Sequence, residues 1–478
     1  MPDYVAPLLP ELILSIGAII LMMAAAFAGR RGSGPITWAS VVVLIAASAA
    51  LIGAPAHSGP LFGGLITADP FGAFGKAIIF PSAAIAIIAA HGWFERNTEH
   101  SAEYPVLILF SALGMSVMVS STSLISLYVG LELQSLAAYV LASYRRMDDR
   151  SAEAGLKYFV LGALASGILL YGISLLYGFA GTTSFAGLSA AFGRGELPLG
   201  LLFGLVFLLA GLAFKASVVP FHMWTPDVYE GAPTPVTAFF ASAPKVAAIL
   251  LSTRVCLDAL GPATDAWRQI VIFAALASIF LGAVAAYGQT NIKRLLAYSS
   301  INNVGFALIG LAAGTPQGAS AVLFYMAIYI VMTLGAFLCV LWMRDADGRP
   351  VEDIYSLSGL SQTRPLFAAA IAIFMFSLAG IPPLFGFWPK LLVFNAAVAS
   401  GYLSLAVAGI LGTVIGAYYY LKIVKVMYMD DPAAPYAKLS QPLQGLLILL
   451  AAIAVSPLGY LLIGPLGELT DRAAGSIF

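Results

Sequence analysis

Two stretches of the chain decide its fold: GLAFKASVVPFHMWTPDVYEGAPTPV at residues 211–236 and SLAGIPPLFGFWPKLL at residues 377–392. Each places prolines and a lysine inside a hydrophobic run. Proline removes a backbone donor and breaks a helix, and a broken backbone at membrane depth is tolerated only where protein or a water-filled cavity satisfies it. Each stretch therefore predicts a membrane helix that is interrupted around a polar site.

The composition of the whole chain agrees with a membrane location. Of its 478 residues, 60% are hydrophobic and 10% are charged, whereas a soluble domain carries about 25% charged residues. Long apolar runs recur from end to end, which predicts an all-α polytopic membrane protein and excludes a soluble enzyme. The net charge of zero gives no sign of nucleic-acid binding. The chain contains no CxxC, GxGxxG or Walker A pattern, so we expect it to bind no metal, redox centre or other cofactor itself.

Apolar windows divide the chain into fourteen predicted membrane segments, and the two broken stretches are the seventh and the twelfth. Because five segments separate them, the second copy crosses the membrane in the opposite direction, and paired broken helices in inverted repeats point to a transport site. The alternative is a chance likeness of two Pro/Phe/Trp runs. The predicted units are a three-helix N-terminal part, two inverted five-helix repeats and a C-terminal helix with its tail, at residues 1–104, 105–256, 267–428 and 429–478.

The distribution of Lys and Arg predicts the orientation. Fifteen of these 23 residues follow odd-numbered segments, four follow even-numbered ones and four lie inside segments. Basic loops remain in the cytoplasm. We therefore expect both termini on the side of the membrane opposite the cytoplasm.

Few charges lie inside the segments, and those that do are functional candidates because ionisable groups at membrane depth often mark ion or proton pathways. Glu132 is the one acidic residue predicted at mid-segment, and it faces three lysines: Lys215, Lys245 and Lys390. The alternative for Glu132, Lys215 and Lys245 is a structural ion pair that fixes helix packing, and Lys390 could instead lie at the interface. We expect Lys76 to extend to the membrane surface.

A Glu–Lys pair offers a mechanism for moving protons. A low-dielectric setting weakens the hold of lysine on its proton, and a nearby carboxylate strengthens it, so a pair whose separation changes has two states. The helix dipole adds a hypothesis: Lys215 lies near the favourable C-terminal end of one half-helix, and Lys390 lies in the unfavourable first turns of another. Lys215 would then hold its proton more tightly. His222, in the first break, is either a possible relay or a plain hydrogen-bonding residue.

The stretch AFKASVVPFHMWTPDVYEGAPTPVTAFFASAPKVAAI, with NIKRLLAYSSINNVGF further on, resembles the antiporter-like membrane subunits of respiratory complex I. The PDVYEGAPTPVTAF wording is most similar to the N-type subunits of the bacterial proton-translocating NADH-quinone oxidoreductase. The resemblance covers roughly residues 100–430.

This resemblance implies a non-redox subunit that pumps protons, driven by quinone reduction elsewhere in the complex. Glu132 matches the family's glutamate on the fifth helix, and Lys215, Lys245 and Lys390 match its ionisable residues on the seventh, eighth and twelfth helices. NADH, FMN, iron–sulfur clusters and ubiquinone would be bound by other subunits. The implied partners are an M-type subunit on one side, small K- and J-type subunits on the other, and membrane lipids. Asn303 stands where related subunits often have histidine, which puts a direct proton-carrying role at that position in doubt.

Two other functions remain open at this stage. The first is a subunit of an Mrp-type cation/proton antiporter, which would have the same fold without redox coupling. The second is a scaffold subunit that transports nothing. The buried ionisable residues argue against a scaffold, because it has no need of them.

Overall fold

The structure is a computed structural model that describes residues 6–53, 57–96, 102–194, 197–437 and 441–478. It is almost wholly helical. The helices up to the second predicted repeat are α1 (Leu9–Ala28), α2 (Ser33–Gly53), α3 (Pro70–Arg96), α4 (Glu103–Ser120), α5 (Leu124–Ala142), α6 (Asp149–Ala180), α7 (Phe185–Phe192), α8 (Leu199–Ala216), α9 (Trp224–Gly231), α10 (Thr234–Phe240) and α11 (Ala243–Arg254). The remaining helices are α12 (Thr264–Tyr287), α13 (Ile292–Ala312), α14 (Pro316–Val340), α15 (Leu360–Thr363), α16 (Pro365–Ala379), α17 (Phe387–Ala399), α18 (Leu403–Met429), α19 (Pro442–Val455) and α20 (Ile463–Gly475).

The membrane segments agree with the sequence prediction. Within the described ranges, twelve helices are long and apolar enough to cross a membrane. If α19 and the bent segment Pro457–Gly475 after it count as one span, the number of spans is thirteen. The predicted twelfth segment consists of two shorter apolar helices, α16 and α17. The all-α polytopic fold is therefore confirmed, and both expected interruptions are present. The inverted relation of the two repeats stays a prediction.

Burial varies strongly among the helices and locates the core of the bundle. In its most apolar window, the segment Thr234–Ala259 is 100% buried, and α13 and α14 are each 94% buried, whereas the segment Ala6–Ala28 is only 17% buried. The exposed side chains of α1 are themselves apolar, as Ile19 and Phe27 show. An apolar exposed face suits contact with lipid, so α1 lies at the periphery and α10, α11, α13 and α14 form the centre.

The eighth predicted segment differs from the expectation of a continuous helix. It is interrupted at Ala241 and Ser242, between α10 and α11. Pro244 is the second residue of α11, and a proline ring clashes with the carbonyl four residues earlier, here Phe240. Pro244 therefore marks this third break in the sequence. The break was not predicted, because the residues on both sides of it form one apolar run.

The C-terminal part also differs, because the expected tail is largely helical. The chain bends by 65° after α19 and continues into α20, which packs against α3 and α14. The hydroxyl of Ser320 on α14 donates to Asp471 Oδ1 at 2.6 Å, and the Ser476 hydroxyl accepts from the backbone N–H of Phe71 at 3.2 Å. Between α2 and α3 the chain also forms a short antiparallel hairpin of β1 (His57–Leu61) and β2 (Ile66–Ala68), which the all-helical prediction lacked.

Candidate functional site

The first helix break lies between α8 and α9. Ser217 follows the last residue of α8 with φ of 60°, in the left-handed region, and the backbone N–H of Val218 donates back to Ala213 at 2.8 Å. This turn leaves carbonyls at the end of α8 without helical partners. The Trp224 indole N–H donates to the Phe214 carbonyl at 2.9 Å. The break thus exposes backbone acceptors inside the bundle.

Lys245 binds one of these acceptors. This side chain, on α11, is 1% exposed, and its Nζ donates to the Ala216 carbonyl at 3.3 Å. The ammonium also lies 5.7 Å from the ring centres of both Trp224 and Tyr229. Carbonyl oxygens at a helix C-terminus and aromatic faces both attract a cation, so the first break builds a neutral site for the charge of Lys245.

The second break, between α16 and α17, has the same construction. Gly380 follows α16 with φ of 81°, and the backbone N–H of Ile381 donates to Phe376 at 3.1 Å. Lys390 Nζ donates to the carbonyls of Leu378 and Ala379 at 3.0 and 2.9 Å. At each of the two expected breaks, a lysine ammonium therefore donates to carbonyls at the C-terminal end of the preceding half-helix.

These contacts overturn the helix-dipole argument for a proton bias. Lys390 does lie in the first turns of α17, but its ammonium reaches back to the C-terminal carbonyls of α16, where the dipole favours a cation. Lys215, on α8, does not use the corresponding carbonyls and donates instead to hydroxyls of α5. The proposed difference between the two lysines therefore has no basis in their helix ends. The interfacial alternative for Lys390 is also wrong, because its side chain is 4% exposed.

Glu132 and Lys215 are near each other but do not form an ion pair. Lys215 Nζ donates to Ser135 Oγ at 2.8 Å and to the Tyr139 hydroxyl at 3.0 Å. The Glu132 carboxylate, which is half-buried, accepts a hydrogen bond from the hydroxyl of Ser166 on α6. Residues 132, 135 and 139 follow the spacing of one helix face. The hydroxyls on α5 thus hold the lysine one to two turns away from the carboxylate.

Polar side chains continue along the centre of the bundle between Lys245 and Lys390. The Ser300 hydroxyl on α13 lies beside those of Tyr229 and Tyr329, and none of the three buried hydroxyls has a hydrogen-bond partner within 3.5 Å among the described residues. Two turns further on, Phe306 on the same helix presents its ring to Lys390 Nζ, 4.6 Å from the ring centre. Buried hydroxyls are normally satisfied by protein or by ordered water. Three polar groups that can exchange hydrogen bonds with water therefore lie between the two lysines.

His222 and Asn303 have different surroundings. His222 is half-buried in the first break, close enough to Lys245 to interact with its charge, and its Nδ1 has no hydrogen-bond partner among the described residues, so its role as a relay stays a prediction. The Asn303 amide is fully engaged: it donates to the Ser299 carbonyl at 2.8 Å and accepts from the Tyr325 hydroxyl at 2.8 Å. Asn303 thus ties α13 to α14.

Lys76 contradicts the expectation of an interfacial side chain. It is 4% exposed, and its Nζ lies 2.5 Å from Glu11 Oε1. The Ser116 hydroxyl donates to the same oxygen at 2.6 Å. This pair was not predicted from the sequence, because Glu11 lies in the first turn of α1. The helix dipole stabilises a carboxylate at that position even without a basic partner.

A network of ion pairs surrounds α9, the helix that follows the first break. Asp227 contacts Lys157 at 2.8 Å and Arg294 at 2.7 Å. Lys293 lies 2.8 Å from Glu352 in the loop after α14. Burial alone would raise the pKa of Glu352, but the Lys293 ammonium and the Asn291 amide outweigh burial and hold that pKa below its usual range. The network fixes α9 to α6 and α13 at one end of the bundle.

No group of three or more His, Cys, Asp or Glu residues in the described ranges is arranged to hold a metal ion. The described site offers lysine, carboxylate and hydroxyl groups, all of which can bind protons.

The chain is similar to known proteins in both sequence and fold. Residues 121–416 match the family described as NADH:quinone oxidoreductase/Mrp antiporter, TM. The NADH-quinone oxidoreductase subunit N of Rhizorhabdus wittichii is 64% identical over 471 residues, and the match covers 98% of each chain. The chain belongs to the NADH-quinone oxidoreductase subunit N family. Another member of this family, from Sphingopyxis alaskensis, is 59% identical over 470 residues, again with 98% of each chain covered.

Solved structures extend the likeness to the fold. A chain of respiratory complex I from Thermus thermophilus is 30% identical and superposes with a TM-score of 0.81, covering 96% of this chain and 98% of that one. A chain of the Mrp complex from Dietzia sp. is 22% identical with a TM-score of 0.85, covering 100% of this chain and 98% of the other. At that identity the Mrp likeness concerns the fold alone. The N-type resemblance inferred from the sequence is therefore confirmed.

Proposed function

We propose that this chain is a proton-translocating subunit in the membrane arm of NADH-quinone oxidoreductase. Protons would pass along Glu132, Lys215, Lys245 and Lys390, with quinone reduction in other subunits as the driving reaction. NADH, FMN, the iron–sulfur clusters and the quinone would be bound by those subunits, and this chain would hold no redox centre. Its own neighbours would be an M-type subunit and the small K- and J-type subunits.

The observation that carries this proposal is the surroundings of the three buried lysines. None of Lys215, Lys245 and Lys390 has a carboxylate within 4.0 Å in the described structure, and each donates only to hydroxyl or carbonyl oxygens. A buried lysine that serves only to fix packing is normally paired with an opposite charge. Neutral acceptors stabilise the charged form and remain in place when the proton leaves, which suits a site that loads and releases protons.

The separation of Glu132 from Lys215 supports a two-state step. In the structure the hydroxyls of Ser135 and Tyr139 hold Lys215 apart from the carboxylate. If Lys215 turns towards Glu132, the pair closes and the lysine keeps its proton. If it turns back, it holds the proton less tightly and can pass it towards Lys245. Water among the unpartnered hydroxyls of Tyr229, Ser300 and Tyr329 would carry the proton onward to Lys390.

The distribution of basic residues gives the direction in the membrane. Fifteen Lys and Arg residues follow odd-numbered segments, and the connections after those segments would therefore lie in the cytoplasm, with both termini in the periplasm of a bacterial inner membrane. The route by which protons enter would therefore begin on the side of the Asp227 network.

The double variant Lys215→Ala with Glu132→Ala tests the proposal in the assembled complex. We expect an assembled complex in which NADH-driven proton uptake into proteoliposomes is largely lost. Normal pumping by a normally assembled complex would instead support a scaffold. Purification of the chain without an NADH-oxidising peripheral arm would support an Mrp-type antiporter. The matched control is Lys425→Ala, because Lys425 is 62% exposed and lies outside the buried line.

A further inference from the structure

A groove between α16 and α19 opens on the outside of the bundle, away from the proposed proton path. Its volume is about 620 Å³, and its walls are formed by Trp342, Phe367, Ala370, Ile373, Ile448 and Ala452. Leu366 and Leu449 at its edges are 87% and 55% exposed. The groove is thus apolar along its length and faces the region where lipid chains lie.

One end of the groove is basic. Arg364 lines it, and its Nη2 donates to the backbone carbonyls of Tyr436 and Ala437, both at 2.7 Å. Its Nε and Nη1 make no hydrogen bond within the described residues, and no carboxylate there lies within ion-pair distance of this guanidinium. Two donor groups of this half-buried arginine thus have no acceptor among the described residues.

A second arginine stands behind the first. The Ala437 backbone N–H donates to the Arg344 carbonyl at 3.0 Å, so both arginines flank the same short segment. Arg344 is 1% exposed, and its Nη1 donates to the Gly348 carbonyl at 2.6 Å. Its Nε and Nη2 are buried and have no partner among the described residues. Burial, with the nearby charge of Arg96, lowers the pKa of Arg344 to about 10. The nearby carboxylate of Asp345 opposes this effect but forms no ion pair with Arg344 within the described residues, so the positive charge is only partly compensated here.

Trp342 links the two parts of the groove. Its ring packs against that of Phe367, with centres 5.7 Å apart, and its indole N–H is buried without an acceptor. Tryptophan with an apolar body and an unused donor is typical of the boundary between lipid chains and headgroups. An apolar groove that ends in two arginines, neither of them in an ion pair within the described residues, matches a ligand that is itself apolar at one end and anionic at the other.

We propose that an anionic phospholipid occupies this groove. One acyl chain lies between α16 and α19, and the phosphate accepts from the free Nε and Nη1 of Arg364, with Arg344 supplying further positive potential. Basic pockets between membrane helices on the cytoplasmic side bind anionic headgroups in this way. The loops that contain Arg344 and Arg364 are among those assigned to the cytoplasm by their charge, so the lipid belongs to the inner leaflet.

The test uses the intact purified complex in nanodiscs with photoreactive phosphatidylglycerol or photoreactive phosphatidylcholine. We expect phosphatidylglycerol to label peptides from α16 and α19 about fivefold more than phosphatidylcholine, since one basic contact near the membrane surface is worth about that factor. Arg364→Gln should remove most of this preference. Ala370→Phe should fill the groove and abolish labelling, whereas Leu450→Phe, on the lipid-exposed face of α19 but outside the groove, should not.

Three results would overturn the proposal. Equal labelling by both lipids in the wild-type complex would show that no anionic group is recognised. Protection by inorganic phosphate alone at tens of millimolar would assign the arginines to a free anion. Cross-linking of a photoreactive amino acid at position 370 to another subunit would show that a protein helix fills the groove. The wild-type comparison stands even if a variant fails to assemble.

Discussion

The hydroxyl of Tyr139 offers the sharpest test of the two-state step. It is one of the two hydroxyls that accept a hydrogen bond from Lys215 and so hold it away from Glu132. Tyr139→Phe removes this acceptor and keeps the ring. An interhelical hydrogen bond in a membrane is worth up to about 1.7 kcal/mol, and a bond to a charged group starts at about 1.5 kcal/mol. We therefore take about 1.5 kcal/mol, which is roughly a tenfold shift towards the closed Glu132–Lys215 pair.

The expected result is slower coupled turnover, by up to about tenfold if opening of the pair limits the rate. NADH-driven proton uptake by the reconstituted complex measures this directly. Tyr104→Phe is the matched control, because the buried Tyr104 hydroxyl makes no hydrogen bond within the described residues. Placing Tyr139→Phe in a Glu132→Gln background should have a much smaller effect, since a neutral amide cannot close the ion pair. Equal effects of Tyr139→Phe in both backgrounds would refute the reasoning.

Three further predictions concern other parts of the chain. Lys76→Met should destabilise the subunit by about 3–5 kcal/mol, because it leaves the Glu11 carboxylate buried and unpaired. Adding Glu11→Gln should restore much of the lost stability, as measured by thermal unfolding. Equal instability of the single and double variants would contradict a buried pair. Gly380→Ala should reduce proton pumping, since a Cβ there would lie 2.8 Å from Lys390 Cδ. Gly401→Ala controls for backbone strain alone, because Gly401 has a similar φ of +85° and open space around it. Equal losses of pumping in the two variants would exclude displacement of Lys390 as the cause. The Glu352–Lys293 pair should make the stability of the subunit depend on pH, because the pKa of Glu352 in the folded state lies below its ordinary value of 4.5. The stability that this carboxylate contributes is therefore present above pH 4.5 and is lost as the pH falls through the pKa of the folded state. The difference in thermal stability between wild type and Glu352→Gln should therefore shrink on acidification, and a constant difference would contradict the pair.

Sequence reasoning was most successful where the signal is local. Long apolar runs define membrane helices because the bilayer demands them, and internal prolines with Ser217 or Gly380 mark the two breaks because the backbone there leaves the helix. The four ionisable residues stood out for the same reason: charge inside an apolar run is rare. None of these inferences needs knowledge of which helices touch.

Sequence reasoning failed where the answer depends on contacts between distant helices. The partner of Lys76 is Glu11, and the sequence gives no spacing rule that joins α3 to the start of α1. The direction of the Lys390 side chain was misjudged because its position in α17 says nothing about the carbonyls of α16 to which it reaches. The interruption at Ser242 was missed although Pro244 marks it, since an apolar run on both sides of a proline reads as one segment.

The central claim is that the buried lysines carry the transported protons, and Lys245→Met tests it most directly. Lys245 is 1% exposed and binds only the Ala216 carbonyl and two aromatic faces, so methionine keeps its volume and apolar contacts but cannot take up a proton. The measurement is the number of protons translocated per NADH oxidised by the assembled, reconstituted complex, with Lys425→Met as the control. We predict that the variant complex translocates fewer protons per NADH, or stops oxidising NADH under coupled conditions, while the control matches the wild type. An unchanged ratio at an unchanged rate in the Lys245→Met complex would contradict the account.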